Sequence, residues 1–205
     1  LPFVDLEIIR KNPKVFMGYS DTTVTHFICL KAGLGTFYGP AVMTAFAENV
    51  AMHNYTITGI QKTLFSNESI KSIPQNCEGW TNKILDWSNR ENQNLPRVFH
   101  QPTGWSFIGK TNQSCKGRLI GGCLEVLQFL NGTDLWPTLS EWDQSILFIE
   151  TSEEGIEPNL VVRFMRNLAS QGILAKLTGI LFSKPGGCKI NVQRFSEYDE
   201  ALLKV

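Results

Sequence analysis

Lys14-Val15-Phe16-Met17-Gly18-Tyr19-Ser20-Asp21-Thr22-Thr23 decides how the chain is read. Val15, Phe16 and Met17 form an apolar run that predicts a buried strand, and Gly18 ends it. A helix is expected from Thr22 to Lys31, with Val24, Phe27 and Ile28 at helical spacing and a stop near Gly33 and Gly35. Ser20 then lies in a strand-to-helix turn. Such a turn exposes a serine hydroxyl and sets the next backbone N–H where an oxyanion would develop. It also suits a plain helix cap, since serine is among the best N-cap residues. The turn alone favours the cap, because caps outnumber nucleophiles.

Working outward, residues 1–65 alternate helix and strand: a helix-like Val4 to Arg10, a short strand Thr36-Phe37-Tyr38 ending at Gly39-Pro40, and a helix from Asn54 to Phe65. Residues 66–116 differ, being rich in Asn, Ser, Gln, Lys and Pro yet carrying Trp80, Trp87 and Trp105. Polar linkers seldom hold tryptophans, so this stretch is expected to be an ordered excursion that packs on or overhangs a site. A second α/β unit, 117–205, follows. It has strands in GRLIGGC, Ser145 to Glu150 and Leu177 to Phe182, and helices at Leu124 to Leu130, Pro158 to Gln171 and Tyr198 to Val205. The fold class is α/β: a partial parallel-sheet nucleophile domain plus a partial C-terminal α/β domain.

Nineteen basic and nineteen acidic residues balance in 205, so no charge excess points to nucleic acid or an anionic membrane. No apolar run reaches the length of a spanning helix and no signal segment opens the chain, which makes the cytoplasm the expected location. Cys29, Cys77, Cys115, Cys123 and Cys188 form no C-x-x-C pair and no Cys/His cluster. Reduced thiols are expected, with no metal and no cofactor. Cys123 follows two glycines but has no neighbouring base, and is read as a wall residue. The chain opens without Met and closes on an uncapped helix, so both ends look cut.

The segments GYSDTT, FYGPAV, GRLIGGCLEVL, ILFIETSEE and GILFSKPGG stand in the order and spacing of the LD-carboxypeptidase family of serine peptidases, which the chain resembles from residue 1 to 205. The Trp-rich middle and the ETSEE segment are most similar to the branch that includes the microcin C self-immunity peptidases. The resemblance implies a Ser–Glu–His triad. Ser20 matches the nucleophile and Glu150, at the end of an apolar strand, matches the acidic member. His26, His53 and His100 do not match the motif of the third, which in the family lies in a further C-terminal segment.

The implied reaction is amide hydrolysis through an acyl-enzyme, with the Asp21 backbone N–H holding the oxyanion and Glu150 orienting the imidazole. The substrate class is a small peptide or an aminoacyl-nucleotide, and a homodimer is implied by resemblance alone. Gly39 and Pro40 are candidates for the pocket floor or for a mere turn. Gly121 and Gly122 are candidates for close backbone approach to a ligand, with Cys123 beside them. Glu153 and Glu154 suit either a substrate amine or a solvated helix start. Trp87, with Trp80 and Trp105 behind it, is the candidate for stacking on a base, against core packing or a dimer contact as the commoner role of any one of them, while Trp136 and Trp142 look structural. Muropeptide LD-carboxypeptidase activity is the rival within the class. A non-catalytic binding module with an incomplete triad is the rival outside it, and a glutamine-amidotransferase-like enzyme is weaker because the turn carries Ser20 where such sites need Cys.

Overall fold

The computed structural model describes residues 3–70, 72–109, 114–187 and 190–205, which fall into two compact units: 3–39 with 108–205, and 40–107. This division differs from the expected boundaries at 65 and 116. The first 39 residues belong with the C-terminal half, because the helix after Ser20 packs on the strand Arg118–Cys123 and the helix Leu124–Leu130 there.

In the first unit, α1 (Leu6–Lys11) is capped by the Asp5 carboxylate, which accepts the N–H groups of Glu7 and Ile8 at 2.9 and 3.2 Å. β1 (Met17–Gly18) leads through a 3₁₀ turn (Ser20–Thr22) into α2 (Thr23–Lys31) and on to β2 (Phe37–Tyr38), parallel to β1. The strand expected at Val15–Met17 is therefore shorter and later. Val15 is 71% exposed, and β1 pairs with β2 only through Met17 and Gly18. α2 ends as the glycine predicts. Gly33 sits at φ +80°, its N–H bonds to Leu30 O, and the Leu34 N–H reaches back to Cys29 O, both at 2.9 Å.

β3 (Arg118–Cys123), β4 (Ser145–Glu150) and β5 (Leu177–Phe182) form a parallel sheet in the order β3-β4-β5. α4 (Leu124–Leu130) and α5 (Pro158–Ser170) make the crossovers, and α6 (Phe195–Leu203) packs on α5. Along β4 burial alternates: Ser145, Leu147 and Ile149 are buried, while Phe148 and Glu150 share the half-open face. Ile120, Leu124, Leu127, Leu147, Val161 and Leu168 build the core, joined by Phe27 of α2. Trp142 is fully buried among them, as its structural reading requires, and Trp136 bonds to Gln171 Oε1 at 3.0 Å.

The second unit holds α3 (Asn54–Leu64), a π-helical turn (Val42–Phe46), a 3₁₀ turn (Arg90–Asn94) and an antiparallel bridge between Trp80 and His100. Its ordering centre is Glu48, whose side chain is 2% exposed and pairs with Arg97 and His53. Burial alone would push the Glu48 carboxyl up, yet the Arg97 hydrogen bonds and charge, with His53, hold it below the usual range. Among the described residues no helix is long and apolar enough to cross a membrane. The described cysteines (Cys29, Cys77, Cys115 and Cys123) are free thiols, and Cys188 lies outside the described residues.

Candidate active site

Ser20, Tyr38, Cys123 and Glu150 stand at or just past the C-terminal ends of β1, β2, β3 and β4, the rim where parallel α/β sheets collect their ligands. Ser20 does not cap the helix. The N-cap of α2 is Thr22, and the Ser20 backbone lies at φ +60°. That region is sparsely populated for a residue with a Cβ and costs about 1–3 kcal/mol. Its persistence means the surroundings hold it there.

The holding groups are explicit. The Ser20 N–H donates to Tyr38 Oη at 3.0 Å and to Glu150 Oε1 at 3.2 Å. The Ser20 N–H is thus engaged, whereas that of Asp21 lies in the first turn of the helical segment, where N–H groups have no intrahelical acceptor. The Asp21 carboxylate is exposed.

Glu150 is half-buried, and burial pushes its carboxyl above the usual range, against the Tyr38 and Ser20 hydrogen bonds that lower it; Glu125 and Glu153 add to the rise. Glu125, in the first turn of α4, accepts the Ser152 N–H at 3.1 Å and its hydroxyl at 2.6 Å, fixing the loop that leaves Glu150. Thr151 Oγ1 accepts the Gly186 N–H at 2.8 Å from the other side. Glu153 and Glu154 lie exposed on that loop.

Cys123 is 1% exposed, and burial with the nearby carboxylates pushes its thiol up to about 12, so it is no thiolate nucleophile. The close approach expected at Gly121 and Gly122 is made by the protein itself. A Cβ on Gly121 would lie 1.7 Å from Phe148 O, and one on Gly122, at φ +153°, 2.5 Å from the Thr23 methyl. Both glycines are buried, and they serve sheet and helix packing beside the site. The Gly39 N–H bonds to Gly18 O at 3.0 Å, continuing the β1–β2 ladder, and Pro40 begins the second unit.

His26 is buried. Its Nε2 bonds to Gly18 O at 3.0 Å and its Nδ1 to Thr36 Oγ1 at 2.6 Å. Burial pushes its pKa down, against the Gly18 bond. A neutral ring that donates from Nε2 and accepts at Nδ1 satisfies both partners, so His26 braces β1 against β2. Within the second unit His53 Nε2 lies 3.2 Å from Glu48 Oε2, and His100 bonds to Asn82. Trp87 and Trp105 are each 59% exposed on that unit. Among the described residues no group of His, Cys, Asp and Glu could hold a metal.

Three residues of the site carried no signal of their own in the sequence: Tyr38, Thr23 and Glu125. Their roles arise only when β2, α2 and α4 are brought to β4.

Against known proteins, residues 1–39 match the LD-carboxypeptidase N-terminal domain and residues 116–205 the LD-carboxypeptidase C-terminal domain. The chain is 31% identical over 185 residues to the Microcin C7 self-immunity protein MccF of Escherichia coli, covering 90% of this chain and 52% of that protein. It is 30% identical over 179 residues to the "Probable murein peptide carboxypeptidase" of Bacillus subtilis, covering 87% and 45%. The chain thus spans about half the length of the curated relatives it matches. Among solved structures, the MccF-like protein from Streptococcus pneumoniae in complex with AMP superposes with a TM-score of 0.83 at 30% identity, over 96% of this chain and 60% of the other. MccF in complex with aspartyl sulfamoyl adenosine gives 0.71 at 28% identity, over 98% and 59%.

Proposed function

The chain belongs to the LD-carboxypeptidase family, and from that premise we propose that it is the nucleophile-bearing part of a serine carboxypeptidase that hydrolyses amide bonds through Ser20. The observation that carries this is the Ser20 backbone at φ +60°, tied by its N–H to Glu150 at the rim of the sheets. A cap residue needs no such strain; a nucleophile held clear of the helix does.

In this reading Ser20 Oγ attacks the scissile carbonyl carbon while a histidine from beyond these 205 residues takes the hydroxyl proton. The Asp21 N–H, with a second donor, stabilises the oxyanion. Collapse of the tetrahedral adduct expels the amine, which leaves with the proton returned by the histidine. Water then cleaves the Ser20 ester by the same steps in reverse roles. Glu150 orients the imidazole and stabilises its cation without taking the proton.

The favoured substrate is an aminoacyl-nucleotide. Two proteins similar to this chain are described in complex with AMP and with aspartyl sulfamoyl adenosine, and Trp87 offers an exposed aromatic face of the kind that stacks on a base. A cytoplasmic homodimer belongs to the same proposal. Similarity to the Bacillus subtilis protein named for murein peptides supports a second reading, removal of a terminal D-amino acid from muropeptides. Turnover of an aspartyl-adenosine amide and of an L,D-linked muropeptide by the whole protein separates them. Faster cleavage of the first supports the proposal, faster cleavage of the second supports the alternative, and cleavage of neither favours a binding module.

A further inference from the structure

The Tyr38 hydroxyl joins parts of the chain that are far apart in sequence. It accepts the Ser20 N–H at 3.0 Å, lies 3.1 Å from Thr23 Oγ1, and donates to Glu150 Oε1 at 2.8 Å. Thr23 Oγ1 accepts the Cys123 N–H at 3.1 Å. The sense of this chain is fixed at both ends, because an amide N–H only donates and a carboxylate only accepts. The Thr23 hydrogen therefore points to Tyr38, and the Tyr38 hydrogen to Glu150. Donors aligned in one direction strengthen one another and favour a negative charge where they end.

The ring itself is clamped. His26 lies against one part of it at a centroid distance of 5.0 Å, and Phe148 meets it edge-on, also at 5.0 Å. Phe148 precedes Glu150 by two residues on the same face of β4, so the ring that packs on Phe148 carries its hydroxyl to the carboxylate. Among the described residues no hydrogen bond reaches Glu150 Oε2.

We propose that Tyr38 is a positioning residue: its hydroxyl locks Glu150 Oε1 and the Ser20 turn into one unit and leaves Oε2 to orient the base. This rests on the Ser20–Glu150 chemistry proposed above. The groups that face the Glu150 carboxylate are Ser20 and Tyr38 as donors, Glu125 of α4 and Glu153 of the following loop as like charges, and the Cys123 thiol at the end of β3.

The test is Tyr38→Phe in the whole protein, with two readouts: carbon-detected NMR titration of the Glu150 carboxyl, assigned with Glu150→Gln, and the pH profiles of kcat and kcat/KM. Loss of the hydroxyl is expected to move the Glu150 titration to higher pH and to lower kcat about 10- to 100-fold with KM within about twofold. The acid limb of kcat should move in the same direction. An unmoved titration with kcat within about twofold of the parent overturns the proposal. Thr23→Val, which keeps the Tyr38 ring and removes its donor together with the acceptor of the Cys123 N–H, should move the titration in the same sense by less. A parent-like thermal unfolding transition of Tyr38→Phe separates positioning from a folding defect. If the parent hydrolyses no substrate, the titration alone decides, and the positioning role stands or falls apart from the peptidase reading.

Discussion

The Ser20 backbone N–H donates to Glu150 Oε1 at 3.2 Å, tying the turn after β1 to the last residue of β4 across 130 positions of sequence. The two residues come together because α2 packs on β3 and α4, which brings the β1 turn to the rim of the three-stranded sheet. The strain at Ser20 and the burial of Glu150 are both costs, and both are concentrated where chemistry is proposed.

Ser20→Gly should relieve the φ of +60°. The expected gain is about 1 kcal/mol, the strain released less the extra chain entropy of glycine. Ser20→Ala keeps the strain and should show no such gain, while both variants lose hydrolysis by about 10³-fold or more. Thermal denaturation beside a turnover assay checks the pair. Equal stability of the two variants would remove strain from the account.

Glu150 gives a pH dependence of defined sign. Burial raises its carboxyl in the folded chain, so the contribution to stability is full below the unfolded value, about 4.3, and is lost as pH rises through the higher folded one. The stability of the parent relative to Glu150→Gln should therefore fall as pH rises from the unfolded value through the higher folded one. Urea unfolding at several pH values measures it, and a difference that grew with pH would reverse the sign argued here.

Gly121→Ala should be severely destabilising, by about 3 kcal/mol or more, because the new methyl meets the Phe148 backbone and a strand backbone cannot turn aside. Chemical denaturation of the variant reads the loss directly. A cost under about 1 kcal/mol would mean that β3 and β4 separate easily here.

Cys77 and Cys115 are exposed, whereas Cys123 is buried with its thiol pushed up to about 12. Iodoacetamide at pH 8 should alkylate the first two in the folded protein and leave Cys123 unmodified until denaturant is added. Peptide mass mapping shows the order. Early modification of Cys123 would contradict its place in the wall.

The elements from Arg118 onward were legible, since each apolar run there is long enough to set its own period and is bounded by Gly, Pro or a polar turn. β1 was not, because two residues carry no period, and Val15 looked buried only by its side-chain type. Ser20 and Glu150 are singled out by the family resemblance, since local pattern alone reads the serine as a cap and the glutamate as a surface acid at a strand end. Nothing local showed that Phe37-Tyr38 would deliver a hydroxyl between them, since this depends on the pairing of β2 with β1 and on the face shared by Phe148 and Glu150. Gly121 and Gly122 read in sequence as a close approach to a ligand, whereas the groups that meet them are the Phe148 backbone and Thr23, which only tertiary packing brings there.

The most direct test is rapid acid quench of the whole protein turning over an aspartyl-adenosine amide, followed by peptide mass mapping. A mass increase equal to the acyl group on the peptide containing Ser20, absent in Ser20→Ala, is the predicted result. Turnover with the adduct on another residue, or undiminished turnover by Ser20→Ala, would contradict Ser20 as the nucleophile.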